Sequence, residues 1–368
     1  MRLFIIYIIT SFFVISLPLY ANKQCPECGK IYPDEYSYCE DDKISLERTA
    51  DLIWRYKTGD GIWSSPYGLD GRIYIGSMDY YLYCLSAIDG SLIWRHKTIY
   101  FVDSSPYVIY DRVYIGSYDK YINCLSTSDG SLIWRHKIGD LVYSSPYVIN
   151  GKVYVGSLDD YIYCLSADNG SLKWRYKTGG WVASFPYVMD GQVYVGSLDD
   201  YIYCLSADNG SLIWRYKTDN DVCSSPYILE GRVYIGSSDG YIYCLSASNG
   251  SLIWRYETGD HIESSPYVID SRVYVGSFDN YIYCLSTDNG SLLWRYETGS
   301  RVISSPYVID GRVYIGSNDN YIYCLSASDG LLIWRYKTGD WVVSSPYVVG
   351  GNIYFGSYDG YVYCLKTE

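Results

Sequence analysis

The sequence predicts an all-β fold, an eight-bladed β-propeller of four-stranded blades, and three observations predict it. From residue 51 the chain repeats every 40 residues, marked by Trp54, Trp94, Trp134, Trp174, Trp214, Trp254, Trp294 and Trp334. A cysteine column (Cys84 to Cys364) and the prolines of Ser-Pro-Tyr or Phe-Pro-Tyr (Pro66 to Pro346) keep the same spacing, so there are eight units of one length. Each unit carries four β-rich runs split by turn dipeptides. Finally, the repeat region opens on a lone fourth strand and ends on a third, so the two chain ends can complete one blade.

Composition agrees. Of 368 residues, 48% are hydrophobic and 19% charged, which supports a packed core rather than disorder. Lys+Arg 29 against Asp+Glu 41 gives −12, which argues against a general nucleic-acid binder. Forty-eight Tyr against 7 Phe is a strand-rich bias.

Taken in order, the chain starts with Met1-Arg2 and an apolar run from Leu3 to Leu17, followed by Pro18 and Ala21. This reads as a signal peptide over 1–21, and hence as an exported protein of the periplasm, cell envelope or exterior. The rival is an uncleaved anchor, the only membrane contact expected, although the run is short for a span of ~20 residues. Residues 22–50 form a cysteine module and linker. Cys25-Pro-Glu-Cys28-Gly29 is one half-site, and Cys39 with Asp42 mirrors it. Thiolates on a tight turn suit tetrahedral Zn²⁺, with Asp42 in the place of a fourth cysteine. The alternative is a Cys25–Cys28 or Cys28–Cys39 disulfide in an oxidising compartment. Residues 24–46 resemble small zinc-ribbon modules carrying "CPxCG…YPD…C".

Residues 51–368 are the propeller. In the unit at 144–178, strand one is expected over 144–149, strand two over 152–157, strand three over 161–166 and strand four over 172–178. Asn150-Gly151 and Asn169-Gly170 supply the turns, because both positions need φ > 0. Strands two and three are apolar on both faces, as in sheets stacked around a ring. Helical solenoids are excluded, since no segment has a 3.6-residue apolar period. Residues 52–58 should pair with 361–365 and remove two open edges.

The pattern "VYVGSxDxYIYCLSAxNGSLIWRYKTG" resembles the PQQ-like repeat of quinoprotein dehydrogenases and of their non-catalytic relatives, among them the propeller subunit of the outer-membrane β-barrel assembly machinery. The resemblance covers 51–368. It implies eight blades with the eight tryptophans docked between neighbours. It does not imply catalysis here. The dehydrogenases hold a quinone and calcium with single-blade carboxylates, an Asn and a disulfide of vicinal cysteines. This chain has no Cys-Cys pair and no Cys-x-x-Cys-His, so PQQ is not expected. The aspartates at 79, 119, 159, 199, 239, 279, 319 and 359 recur in every unit and read as loop-forming. The cysteine column reads as small buried hydrophobes rather than disulfides, because equivalent positions in stacked sheets lie too far apart to bridge. Cys223 stands outside it as a candidate reactive thiol.

Strands alternate in direction, so the one–two and three–four turns share one face, which is monotonous. The two–three loops and the inter-blade loops share the other, where three columns vary. Seven residues after each Trp stand Gly61, Phe101, Leu141, Trp181, Asp221, His261, Arg301 and Trp341. Nine after stand Trp63, Asp103, Tyr143, Ala183, Cys223, Glu263, Ile303 and Val343. The two–three loop column runs Met78, Tyr118, Leu158, Leu198, Ser238, Phe278, Asn318 and Tyr358. Drift on exposed loops is one reading. The other is a recognition surface of Trp63, Phe101, Tyr143, Trp181, His261, Arg301 and Trp341, residue types that dominate binding patches. The function expected is therefore a non-enzymatic, monomeric binding or assembly scaffold for a protein or peptide of the cell envelope, with no catalytic residues. The alternatives are a PQQ-dependent dehydrogenase and a carbohydrate-active propeller using Asp103, Asp221 and Glu263.

Overall fold

The structure, a computed structural model, describes residues 23–24, 30–32 and 47–367 and divides into two compact units, Met1–Thr49 and Ala50–Glu368. In the first, Lys23–Gln24 is the middle strand of a small antiparallel sheet, between Ile31–Tyr32 and Glu47–Arg48. The leader 1–21 and the candidate ligands Cys25, Cys28, Cys39 and Asp42 lie outside the described residues.

The second unit is eight four-stranded antiparallel sheets. The blade at Tyr147–Lys177 is representative, with strands Tyr147–Ile149, Lys152–Gly156, Tyr161–Ser166 and Leu172–Lys177. Three of the four match the expected runs to within a residue. The first does not: 144–149 was expected, and only Tyr147–Ile149 is strand. Pro146 has no N–H to pair, and the serines before it are committed elsewhere. The first strands of neighbouring blades touch around the full circle, Tyr347–Val349 meeting Tyr67–Leu69. The opening strand Leu52–Lys57 pairs with Tyr361–Lys366 in the register that every other blade uses, Cys364 opposite Trp54 as Cys164 is opposite Trp174.

The core lies between blades. Trp134, for example, packs with Cys124 and Tyr114 of its own blade and Val148 and Val153 of the next. Its Nε1 donates to Ala167 O at 2.9 Å, across the blade boundary. Six other tryptophans of the column repeat this bond; Trp334, at the seam where the chain ends meet, does not and packs with Ala50. The indole needs glycine below it: a Cβ on Gly170, whose φ is +70°, would sit 2.5 Å from Trp134 Cε3. The column cysteines are free and buried, and burial pushes the Cys164 thiol up to about 11.

The recurring aspartates do structural work. Asp79 accepts from the Tyr81 N–H, the Gly59 N–H of the preceding loop and the Tyr83 hydroxyl, at 3.1, 2.6 and 2.6 Å. One unit breaks the pattern: Asn123 stands where the others have this tyrosine, and its Nδ2 is buried without a partner.

Candidate binding face and channel mouth

Two of the variable columns are joined by backbone. Met78 N donates to Gly61 O, Tyr118 N to Phe101 O, Leu198 N to Trp181 O, Phe278 N to His261 O and Tyr358 N to Trp341 O, all at 2.8–3.1 Å. The link recurs in every blade, so two positions whose side chains it does not use stand side by side at each blade entrance.

The third variable column lines the mouth of the central channel. Trp63, Asp103, Tyr143, Ala183, Cys223, Glu263, Ile303 and Val343 form its upper ring, and Ser65 and its equivalents form the ring below. The lower ring is a hydrogen-bonded belt. Ser65 N donates to Ser105 Oγ, Ser105 N to Ser145 Oγ, and so around to Ser345 N on Ser65 Oγ, at 2.7–3.0 Å. It breaks once, where Phe185 replaces serine and offers Ser145 no acceptor. The preceding serine is also used: Ser144 Oγ accepts from Gly156 N at 3.1 Å and donates to Ser184 O of the next blade at 3.0 Å. One alternation deeper, Tyr67, Tyr107, Tyr147, Tyr187, Tyr227, Tyr267, Tyr307 and Tyr347 close a ring of aromatic contacts with centroids 5.4–6.1 Å apart. The cavity above them measures about 230 Å³.

The face residues expected from sequence fall into three clusters and one outlier. Trp63 and Trp341 meet through Tyr358, at 6.4 and 5.7 Å. Phe101 and Tyr143 meet through Tyr118, at 5.9 and 6.4 Å. Phe278 joins His261, stacked at 6.0 Å, to Arg301, whose guanidinium lies 5.0 Å from its centroid. Trp181 stands apart. Trp181 and Trp341 are 53% and 44% exposed, His261 and Arg301 are exposed, and Phe101, Trp63 and Tyr143 are half-buried.

Sequence reasoning missed Tyr80 and Tyr100, which extend the Phe101 cluster at 5.5 and 4.7 Å. Both were visible as departures from their columns. Tyr80 takes a φ of 76° where most other units have Gly, Asn or Asp, and a bulky residue there is an outlier. The serine belt and tyrosine ring were missed as well. Their signal was the invariance of Ser-x-Pro-Tyr within the chain.

Electrostatically the mouth is acidic. Burial pushes the Asp103 carboxyl up to about 6, opposed by a hydrogen bond from Tyr118. Glu263 is also raised by burial, against the pull of His261 and Arg301. Asp221 is raised too, chiefly by burial, but it does not line the cavity. The expected reactivity of Cys223 does not hold: burial, then Glu263 and Asp221, push its thiol up to about 12, so little thiolate exists at neutral pH.

Eight four-stranded blades with a tryptophan docked at each boundary define a propeller of the PQQ-like repeat class. The chain belongs to the family of the outer membrane protein assembly factor BamB, whose model matches residues 42–137, 102–184, 119–225, 178–267 and 238–368. Among curated protein sequences none matches it. Among solved structures it is similar to BamB from Moraxella catarrhalis, at 17% identity and a TM-score of 0.75, over 86% of this chain and 100% of that one. The computationally designed Ika8 protein aligns at 15% identity and a TM-score of 0.78, over 86% and 99%. Quinohemoprotein alcohol dehydrogenase from Comamonas testosteroni aligns at 14% identity and 0.72, over 86% and 76%. At these identities the similarity is one of fold.

Proposed function

We propose that the chain is a non-enzymatic scaffold of the cell envelope whose variable face holds a protein or peptide partner. Membership of the BamB family supports a scaffold. The observation that carries the finer reading is the aromatic clustering on one face, in columns relieved of structural duty. The leader expected over 1–21 supports export, and the protein acts as a monomer. The test is capture of partners from an envelope fraction. Trp181→Ala with Trp341→Ala should weaken capture at least ~10-fold, since ~1.4 kcal/mol is a factor of ten. Asp168→Ala with Asp208→Ala, on the opposite face, should leave it intact. Equal losses from both pairs would sink the assignment.

The fold shared with a quinohemoprotein alcohol dehydrogenase is the one observation favouring a second reading, a quinone-dependent enzyme. The mouth suits it poorly. PQQ is a tricarboxylate, whereas the cavity lining has two carboxylates, Asp103 and Glu263, and no lysine or arginine. Incubation with PQQ and Ca²⁺ should produce no dye-linked alcohol oxidation, and turnover would reverse the reading. For the N-terminal module we propose a zinc ion held by Cys25, Cys28, Cys39 and Asp42. Metal analysis of protein prepared under reducing conditions should find one zinc per chain, lost in Cys25→Ser; an intact disulfide in its place would refute it.

A further inference from the structure

The upper ring of the mouth carries eight side chains, one from each blade entrance. Only Asp103 and Glu263 are carboxylates, and they stand four blades apart, on opposite sides of the channel axis. Their surroundings differ. Glu263 has His261 and Arg301 near enough to lower its pKa. Asp103 has the Tyr118 hydroxyl and no cation. The residue is 8% exposed, and Oδ1 is buried without any hydrogen-bond partner. A buried carboxylate with a free oxygen is costly unless something positive reaches it.

Its neighbours in the ring are Trp63 on one side and Tyr143 on the other, and all three line the same cavity. Asp103 and Glu263 both act on Tyr143, which places the phenol within their field. A carboxylate flanked in the ring by two aromatic residues of the same cavity can receive an alkylammonium ion: the acid supplies the counter-charge and the aromatic side chains can supply cation–π attraction. The last torsion of Asp is broad, so the carboxylate can rotate to offer an oxygen to a cation in the cavity. The ring of tyrosines lies one alternation below the cavity and the serine belt forms its lower wall, which suits a single extended side chain better than a bulky ligand.

We propose that the channel mouth is a receptor for a primary ammonium group, the lysine side chain of a partner peptide, seated against Asp103 between Trp63 and Tyr143. This rests on the reading of the face as a peptide-binding surface and names the chemistry of what it takes.

The test uses the full chain and three probes: a blocked hexapeptide with one lysine, the same peptide acetylated on that lysine, and cadaverine. By calorimetric titration the lysine peptide should bind, and acetylation should weaken it at least about tenfold. Asp103→Asn, which keeps the shape and removes the charge, should weaken it by about as much, while Asp168→Asn on the opposite face should not. Cadaverine should bind more weakly than the peptide, because the flanking residues add contacts to the face. Equal binding of the acetylated peptide, or full affinity in Asp103→Asn, overturns the proposal. Tighter binding of cadaverine overturns the assignment to a peptide. The Trp181 and Trp341 variant separates the two readings: if it loses partner capture while the lysine peptide binds no variant, the face stands and the ammonium site falls.

Discussion

The two faces of the ring carry equal numbers of loops and differ in how far they fix the identity of their residues. On the monotonous face the ties are made by side chains. Tryptophan Nε1 groups reach carbonyls of the next blade, as do the basic residues of the second strands, such as Arg112 on Ala167 O at 2.6 Å and Lys152 on Ala207 O at 2.9 Å. Turn positions there need φ > 0, as at Asn150 and Gly151. On the variable face the tie between the two outer columns is backbone to backbone and uses the side chain of neither column, while the fixed Asp and Ser positions beside them hold the loops with their side chains. Residue identity is held where side chains bind the blades and released where the main chain does. The freedom is a product of the fold, and the aromatic clusters occupy it.

Both faces depend on ring closure, so removing it is the largest perturbation. Deleting residues 51–58 strips the last blade of its outer strand and exposes an edge. Loss of cooperative unfolding, or aggregation, is expected in a thermal melt; a variant that melts like the parent would refute the shared blade.

The next effect belongs to the monotonous face alone. Gly170→Ala places a methyl group against the Trp134 indole at a left-handed φ. Overpacking and backbone strain together should cost about 2–4 kcal/mol, read as a lower urea midpoint. No change would mean that glycine recurs there for another reason.

Asp103 breaks the comparison from the other side, as a variable-face residue with a large expected effect on stability. Its folded pKa, about 6, lies above the ordinary 3.8. The neutral form is therefore favoured in the native state. Stability is fully present below pH ~4 and declines as the pH rises through ~6. Asp103→Asn should be more stable than the parent at pH 7.5, by up to about 3 kcal/mol, with the gap closing near pH 4. A gap independent of pH would mean that the carboxylate is compensated.

The smallest expected effect sharpens the contrast. Trp181→Ala with Trp341→Ala removes two large side chains, yet both are about half exposed. The melting temperature should move by no more than a degree or two, within the ~0.5 kcal/mol range of surface changes. A drop as large as that of Gly170→Ala would make them ordinary packing residues.

Most of the fold was legible because it is periodic. The spacing of Trp54 to Trp334 counts the blades, the Asn-Gly turns divide the strands, and the offset between Leu52 and Leu365 predicts the closure that the register shows. The one mistaken strand, 144–149, reads as β by composition. Its Ser144 and Ser145 are nevertheless engaged with neighbouring blades, contacts that no local pattern records. The variable columns were legible too, as was their sorting to one face. Their division of labour was not: positions seven and nine after each Trp are two residues apart, yet one set stands at the blade entrances and the other lines the mouth.

By itself, then, the sequence determines the number of blades, their strands, their closure and the structural role of the tryptophans and aspartates. The blades, strands and structural roles follow from contacts within a unit or between consecutive units, whose chemistry repeats every 40 residues, and the closure follows from the phase of that repeat at the two ends of the repeat region. The tertiary structure alone decides what meets across the ring. Asp103 faces Glu263 from a separation of 160 residues, Trp341 reaches Trp63 through Tyr358, and Phe185 interrupts an otherwise continuous serine belt. Those relations arise because a closed circle brings distant units to one axis. A periodic pattern states how often a position recurs, and only the closed ring states which of its unlike copies face one another.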